Sequence, residues 1–168
     1  MKLLYCIAGT YNSGGMERVL ANKANYLARH GYEGVIATSD QRGQKPFFKL
    51  DPAIRCVDLS INYEENNGKS LLNKLLHYPL KQYRHRKRMS ALLKKEQPDI
   101  TISMYCNEAS FLPSIKDGSK KVLEIHFSKF KRLQYGRKGL WRVVDWWRSR
   151  MDERLVRRYD KFVVLTKE

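Results

Sequence analysis

The chain has 168 residues, of which 42% are hydrophobic and 11% aromatic, so it has the material for one ordinary domain and is not a disordered segment. Its 33 Lys and Arg outnumber 17 Asp and Glu, and the formal net charge of +16 predicts attraction to an anionic partner: nucleic acid, a membrane surface or a phosphorylated substrate. No segment approaches the roughly 20 apolar residues that span a bilayer. The apolar run at Met1–Ala8 is short for a signal peptide, so we interpret it as a first β-strand.

Short apolar runs alternate along the chain with longer segments of helical period. The apolar runs predict strands at Lys2–Ala8, Gly34–Ser39, Ile54–Leu59, Asp99–Tyr105, Lys121–His126 and Lys161–Thr166. The periodic segments predict helices at Gly15–His30, Lys69–Glu96, around Glu108–Ile115 and at Gly139–Tyr159. We expect Pro79 to interrupt or bend the second helix. This alternation predicts an α/β, Rossmann-like fold with a doubly wound, mostly parallel sheet in three layers, α/β/α, which binds ligands outside the carboxyl ends of its strands.

The cysteines and most of the histidines predict no special chemistry. No spacing typical of a metal site or a disulfide framework is present. We therefore expect Cys6, Cys56 and Cys106 to be buried, reduced thiols in a cytoplasmic protein. His30, His77 and His85 lie at a helix end or in a basic helix, and we expect them at the surface.

The turn after the first strand carries two adjacent glycines, Gly14 and Gly15, at the start of a helix. Two adjacent glycines let the backbone adopt positive φ and come close to a ligand. They open a helix, whose free amides and dipole favour anions. Glu17 is placed to cap back onto the amides around Gly14. A phosphate or an anionic acceptor group would be the natural partner. The alternative is a tight turn that only packs the helix against the strand.

Two familiar nucleotide-binding motifs do not account for these glycines. Gly9, Gly14 and Gly15 do not fit the GxGxxG fingerprint of dinucleotide-binding folds. The segment Asn67–Ser70 ends like a Walker A loop, but Tyr63 stands where the first glycine of that motif is required. We interpret the segment as a polar loop.

From Tyr11 to His30 the sequence resembles the start of the GT-B glycosyltransferases, closest to the retaining group 1 or family 4 type. Members have a paired-glycine turn, then a small residue or Met and often Glu, and an amphipathic helix that ends in Leu-x-x-x-Gly, matched here by Leu27 and Gly31. A strand that ends in a histidine, His126, and a final strand at Phe162–Thr166 are also similar, so the resemblance covers essentially the whole chain.

The resemblance implies an enzyme of two Rossmann-like domains with the active site between them. Residues 1–168 would be the N-terminal, acceptor-side domain, without the C-terminal nucleotide-sugar-binding domain, and we expect this half to be inactive alone. The implied reaction moves a hexosyl-type sugar from a nucleotide-sugar donor to a glycan or lipid-linked acceptor in cell-envelope polysaccharide synthesis. We expect no cofactor and no metal, since no DxD motif in a suitable strand-end context is visible.

The resemblance assigns one candidate site residue, and position in the predicted fold assigns the others. His126 would be the catalytic residue near the transferred sugar. Residues that follow predicted strands or open the first helix would bind donor phosphate or acceptor: Asn12, Gly14, Gly15, Glu17, Tyr105 and Asn107.

Two basic helical segments, Lys69–Glu96 and Lys129–Arg158, hold much of the positive charge. Basic helices that also expose Leu or Trp favour an anionic membrane interface, which predicts a protein at the inner face of the plasma membrane. The alternative is that Leu and Trp face the core while the charges are solvated. The membrane-facing candidates are Arg84, Arg86, Lys87, Arg88, Trp146 and Trp147.

Two rival functions use the same features. A nucleic-acid-binding basic α/β domain would explain the charge, but no known nucleic-acid-binding motif is present, so we expect no nucleic acid partner. Another Rossmann-like nucleotide-sugar enzyme, such as an epimerase or reductase, would explain the alternation, but the missing GxGxxG argues against it.

Overall fold

A computed structural model describes residues 1–66, 71–126 and 150–164 of the chain. Its strands are Lys2–Ile7 (β1), Glu33–Thr38 (β2), Arg55–Asp58 (β3), Ile100–Ser103 (β4), Lys120–Ile125 (β5) and Lys161–Val164 (β6). They form one sheet in the order β3-β2-β1-β4-β5-β6, and every neighbouring pair is parallel. The predicted parallel, Rossmann-like sheet is confirmed. Its strands begin or end one or two residues away from the predicted bounds, as strand ends commonly do.

Helices cover both faces of this sheet. The helices are Gly15–Arg29 (α1) and Leu71–Glu96 (α2), and residues 150–156 are also helical. Short 3-10 turns lie at Tyr63–Asn66 and Leu112–Ser114. The three-layer arrangement predicted from the sequence is therefore present.

The core is divided into two parts, one on each face of the sheet. Strand β1 contributes to both, because successive side chains of a strand point to opposite faces. Leu3, Tyr5 and Ile7 pack with residues of α1 in one buried cluster. Leu4 and Cys6 pack with residues of α2 in the other, which also takes Tyr159. An unbroken apolar run is what a strand buried on both faces requires.

The structure differs from two helix predictions. Helix α2 continues through Pro79, so the proline does not interrupt it, because one missing amide does not outweigh the helical pattern on either side. The predicted helix around Glu108–Ile115 is reduced to the 3-10 turn at Leu112–Ser114, a segment too short to propagate a helix. The Walker-like Asn67–Ser70 and most of the predicted helix Gly139–Tyr159 lie outside the described residues.

The prediction that His85 lies at the surface is wrong. Its side chain is 1% exposed, because it falls on the same helical stripe as Met89 and Leu93 and points into the core. The Tyr63 hydroxyl lies 3.1 Å from His85 Nδ1, and the Phe111 ring packs edge-on at 5.1 Å between centroids. Burial lowers the pKa of His85 to about 4, so the ring is neutral at physiological pH.

The prediction of three buried cysteines holds only for Cys6. Cys56 is exposed because β3 is an edge strand whose residues are largely open to solvent. Cys106 is half-buried, since it follows β4 in a loop and does not lie in the strand. All three thiols are free.

Candidate active site

The strand order reverses between β1 and β4, and a crevice opens at such a point beyond the carboxyl ends of the strands. Strand β5 lies next to β4, so its carboxyl end is roughly 10 Å from that of β1 at the ordinary strand spacing. Three chain segments therefore border the crevice: the turn before α1, the loop after β4 and the residue after β5.

The glycine turn does not use the positive φ that glycine allows. Gly14 is the N-cap of α1 with φ −70° and ψ 159°, and Gly15 is also outside the positive-φ region. What Gly14 provides is space. A Cβ on Gly14 would collide with Glu17 Oε2, so the glycine lets this carboxylate fold back over the helix N-terminus. No atom lies within 4 Å of a Cβ built on Gly15.

Tyr11, which the sequence did not single out, links three loops at this edge. Its ring lies over Gly9, where a Cβ would stand 2.6 Å from Tyr11 Cε1. Its hydroxyl donates to Glu64 Oε2 at 3.2 Å, and Arg42 Nη2 pairs with the same oxygen at 3.1 Å. Burial and Glu64 raise the pKa of Tyr11. Tyr11, Arg42 and Glu64 each follow a strand. That position was the only feature of the sequence that could have predicted their contact.

A buried carboxylate, that of Glu108, supports the loop after β4. Glu108 is 1% exposed and accepts a hydrogen bond of 2.6 Å from Ser103 Oγ. The same Ser103 oxygen accepts the Tyr105 amide at 3.2 Å, and Tyr105 takes a φ of 59°. Burial raises the pKa of Glu108, and hydrogen bonds from Ser103 and from backbone amides oppose that rise. The carboxyl group thus fixes the backbone that presents Tyr105.

The loops after β1 and β4 touch each other. The Ala8 amide lies within hydrogen-bonding reach of the Cys106 thiol, and the Glu17 carboxylate is close enough to influence it. Burial, more than any charge, raises the pKa of this thiol well above its ordinary value. Cys106 is consequently a packing residue at this edge and not a nucleophile. Asn107 is half-buried beside it, and its carbonyl accepts a hydrogen bond from Gln82 Nε2 at 3.1 Å.

His126 comes directly after β5, and its side chain is 5% exposed. Its Nε2 lies 3.1 Å from Glu124 Oε1, close enough for the carboxylate charge to act on the ring. Neither ring nitrogen has a hydrogen-bond partner among the residues that the structure describes. Burial lowers the pKa of His126, Lys23 adds to that effect, and Glu124 opposes it. A neutral, buried imidazole with an unused nitrogen can receive a hydrogen bond from a hydroxyl group.

The structure thus places the predicted site residues in two regions. Those at the carboxyl edge of β1, β4 and β5 border one crevice: Gly14, Gly15, Glu17, Tyr105, Asn107 and His126, with exposed Asn12 in the same turn. The described membrane candidates are exposed on α2: Arg84, Arg86, Lys87 and Arg88. Arg88 also donates to the Leu59 carbonyl and, at 3.0 Å, to the Ser60 carbonyl. Trp146 and Trp147 lie outside the described residues.

Within 1–66, 71–126 and 150–164, no three His, Cys, Asp or Glu side chains are grouped as a metal site would need. Across those ranges, no helix is long and apolar enough to cross a bilayer.

The fold agrees with a comparison of the chain with known families. No curated protein sequence matches it. The model of one family, Glycosyltransferase Family 4, matches residues 13–168, from the residue before the glycine turn to the last residue of the sequence. That range contains the turn, the loop after β4 and His126, which are the segments that border the crevice. The chain therefore belongs to Glycosyltransferase Family 4.

Proposed function

We propose that this domain forms the acceptor-side wall of an active site that moves a sugar from a nucleotide-sugar to a glycan or a lipid-linked acceptor. One observation carries the proposal: the N-terminus of α1 and the buried imidazole of His126 border the same crevice. The first suits a negatively charged phosphate, and the second suits a sugar hydroxyl. A sugar phosphate needs both.

The reaction we propose needs no metal. When a sugar leaves its nucleotide, negative charge grows on the departing diphosphate, and amides at a helix N-terminus stabilise such charge without further chemistry. Gly14 and Gly15 open α1 and place backbone amides there. Because Glu17 folds back over Gly14, an incoming phosphate would have to displace this carboxylate or bind beside it.

The nucleotide itself would bind elsewhere. The described part of the crevice offers backbone amides, Tyr105 and His126, and we propose that a second Rossmann-like domain, outside residues 1–168, holds the base and ribose. The 168-residue chain alone would then transfer no sugar. It would still bind a sugar phosphate or a diphosphate weakly through the glycine turn.

We also propose that the protein works in the cytoplasm against the inner face of the plasma membrane. Leu80, Tyr83, Arg84 and Lys87 recur at helical spacing and all are exposed; we call them the Tyr83 face. The Tyr83 side chain is 68% exposed, which is unusual for so large an aromatic residue. Apolar groups interleaved with positive charges suit the headgroup region of an anionic bilayer, where lipid-linked acceptors are found.

Sugar transfer tests the proposal directly. The chain, alone and joined to a nucleotide-sugar-binding domain, would be assayed with a panel of nucleotide-sugars and with glycan and lipid-linked acceptors. We expect transfer only from the joined protein, and we expect it to continue in EDTA.

His126→Ala should lower kcat in that assay about tenfold or more, the loss of one hydrogen bond of about 1.4 kcal/mol in the transition state. His30→Ala is the matched control, because His30 is exposed at the far end of α1. Equal effects of the two substitutions on kcat would show that His126 is not part of the active site.

A further inference from the structure

Next to His126 lies a partly buried ion pair that the proposed reaction does not use. Glu124 of β5 is 5% exposed, and one of its oxygens, Oε2, binds Lys23 Nζ of α1. The Lys23 ammonium also lies over the Tyr5 ring, 5.3 Å from its centroid. Burying a carboxylate is costly unless it is paired, so the contact with Lys23 holds the Glu124 side chain in place.

The second oxygen of Glu124 is directed at His126. Oε1 lies 3.1 Å from Nε2 of the ring. A carboxylate next to one ring nitrogen favours the tautomer that carries its proton on that nitrogen, because the negative charge stabilises a nearby N–H proton and repels a nearby lone pair. The other nitrogen, Nδ1, would be left with its lone pair, and no described residue donates to it.

We propose that Glu124, held by Lys23, is a positioning residue that sets the tautomer of the neutral His126 ring with its proton on Nε2, so that Nδ1 can accept a hydrogen bond from a hydroxyl of the sugar or acceptor. The role of His126 at the substrate rests on the proposed function. The tautomer does not, since it depends only on Lys23, Glu124 and the ring. Of the described charged and titratable groups, Lys23 from α1 and Glu124 itself act on His126, and the Tyr5 phenol from β1 faces Glu124.

Long-range proton–nitrogen NMR correlations of the 168-residue chain read the tautomer directly, without sugar or donor. At a pH where His126 is neutral, we expect the proton on Nε2 and an unprotonated Nδ1. A proton on Nδ1 in the wild-type chain would overturn the proposal. This result needs no variant, so a substitution that prevents folding does not obscure it.

Substitutions then test what sets the tautomer. Glu124→Gln keeps the shape of the side chain and removes its charge, so the pKa of His126 should fall further below its ordinary value and the preference for Nε2 should weaken. Lys23→Arg keeps the pair and should leave both unchanged. Simple unfolding gives the opposite sign, because it returns the pKa of His126 toward about 6.5. A pKa in folded Glu124→Gln that stays the same or rises would contradict the proposal.

The two proposals fail in different ways. If the tautomer is as expected and no sugar transfer occurs, the proposed function is wrong and the positioning role of Glu124 stands. If transfer occurs and depends on His126, yet Nδ1 carries the proton, the positioning proposal alone is wrong.

Discussion

At the scale of single residues, three glycines near the start of α1 differ in what surrounds them. Gly9 is buried, and its missing side chain leaves room for the Tyr11 ring. Gly14 leaves room for the Glu17 carboxylate, whereas a Cβ on Gly15 would meet nothing. The sequence does not distinguish Gly14 from Gly15. The difference depends on Glu17, whose side chain packs against Gly14 and not against Gly15.

Gly9→Ala should destabilise the chain by about 1–3 kcal/mol, because the new methyl group must push the Tyr11 ring away from Glu64. Gly15→Ala is the matched control. It should leave stability unchanged or raise it by less than about 1 kcal/mol, since alanine is the better helix former. Urea unfolding of both variants measures the difference. Equal stabilities would mean that the Tyr11 ring is not held against Gly9.

His85 predicts a pH dependence of folding. Its pKa is lowered to about 4 in the folded chain from about 6.5 when unfolded, so between these values the unfolded chain binds more protons. Its contribution to stability is therefore complete above pH 6.5 and is lost as the pH falls toward 4, by roughly 3 kcal/mol in all. In His85→Gln the free energy of unfolding should depend less on pH over this window. An identical slope in wild type and variant would contradict the buried, neutral ring.

At the scale of elements, α2 supports the loop after β3 through Arg88. This loop contains Ser60 and Asn62 with positive φ, a strained conformation for both residues, and the Arg88 guanidinium donates to two of its carbonyls. Arg88 is thus a brace within the domain as well as a surface charge. The sequence offered no signal for this, because a basic residue in a basic helix looks the same whether or not it reaches a loop.

Arg88→Met should cost about 1.5–3 kcal/mol in the free energy of unfolding, the usual contribution of hydrogen bonds from a charged donor. Lys87→Met is the control on the neighbouring exposed position and should change stability by less than about 0.5 kcal/mol. Chemical denaturation of the pair decides the matter. Equal small losses would show that the brace does not stabilise the loop.

The elements that the sequence predicted well are those with a local pattern. Strand β1 is an unbroken apolar run, and α1 has its apolar residues near 3.6-residue spacing before a terminal glycine. The wrong predictions concern residues whose environment depends on contacts between distant parts of the chain. Burial of His85 requires Tyr63 and Phe111, and the exposure of Cys56 follows from the edge position of β3, which the strand sequence alone does not reveal.

At the scale of the whole molecule, the net charge of +16 predicts attraction to an anionic surface, and α2 carries part of that charge. If the Tyr83 face binds an anionic bilayer, Arg84→Gln with Lys87→Gln should weaken binding to phosphatidylserine vesicles by about 30-fold, at about 1 kcal/mol for each basic residue. Lys94→Gln with Lys95→Gln removes the same charge from the far end of the helix and should weaken binding less. Vesicle co-sedimentation of the two double variants makes the comparison. Equal losses, or equal binding to neutral vesicles, would argue against a specific face.

We propose that the crevice at the carboxyl ends of β1, β4 and β5 is the substrate wall of this glycosyltransferase domain. Amide NMR spectra of the 168-residue chain, titrated with a nucleoside diphosphate sugar, test this proposal most directly. We expect shifts at Gly14, Gly15, Tyr105 and Asn107, and none at Gly118, which precedes β5 at the opposite edge of the sheet. Shifts centred on the Tyr83 face, with the glycine turn unchanged, would contradict it and would leave this chain a binder of anions at a site other than the crevice.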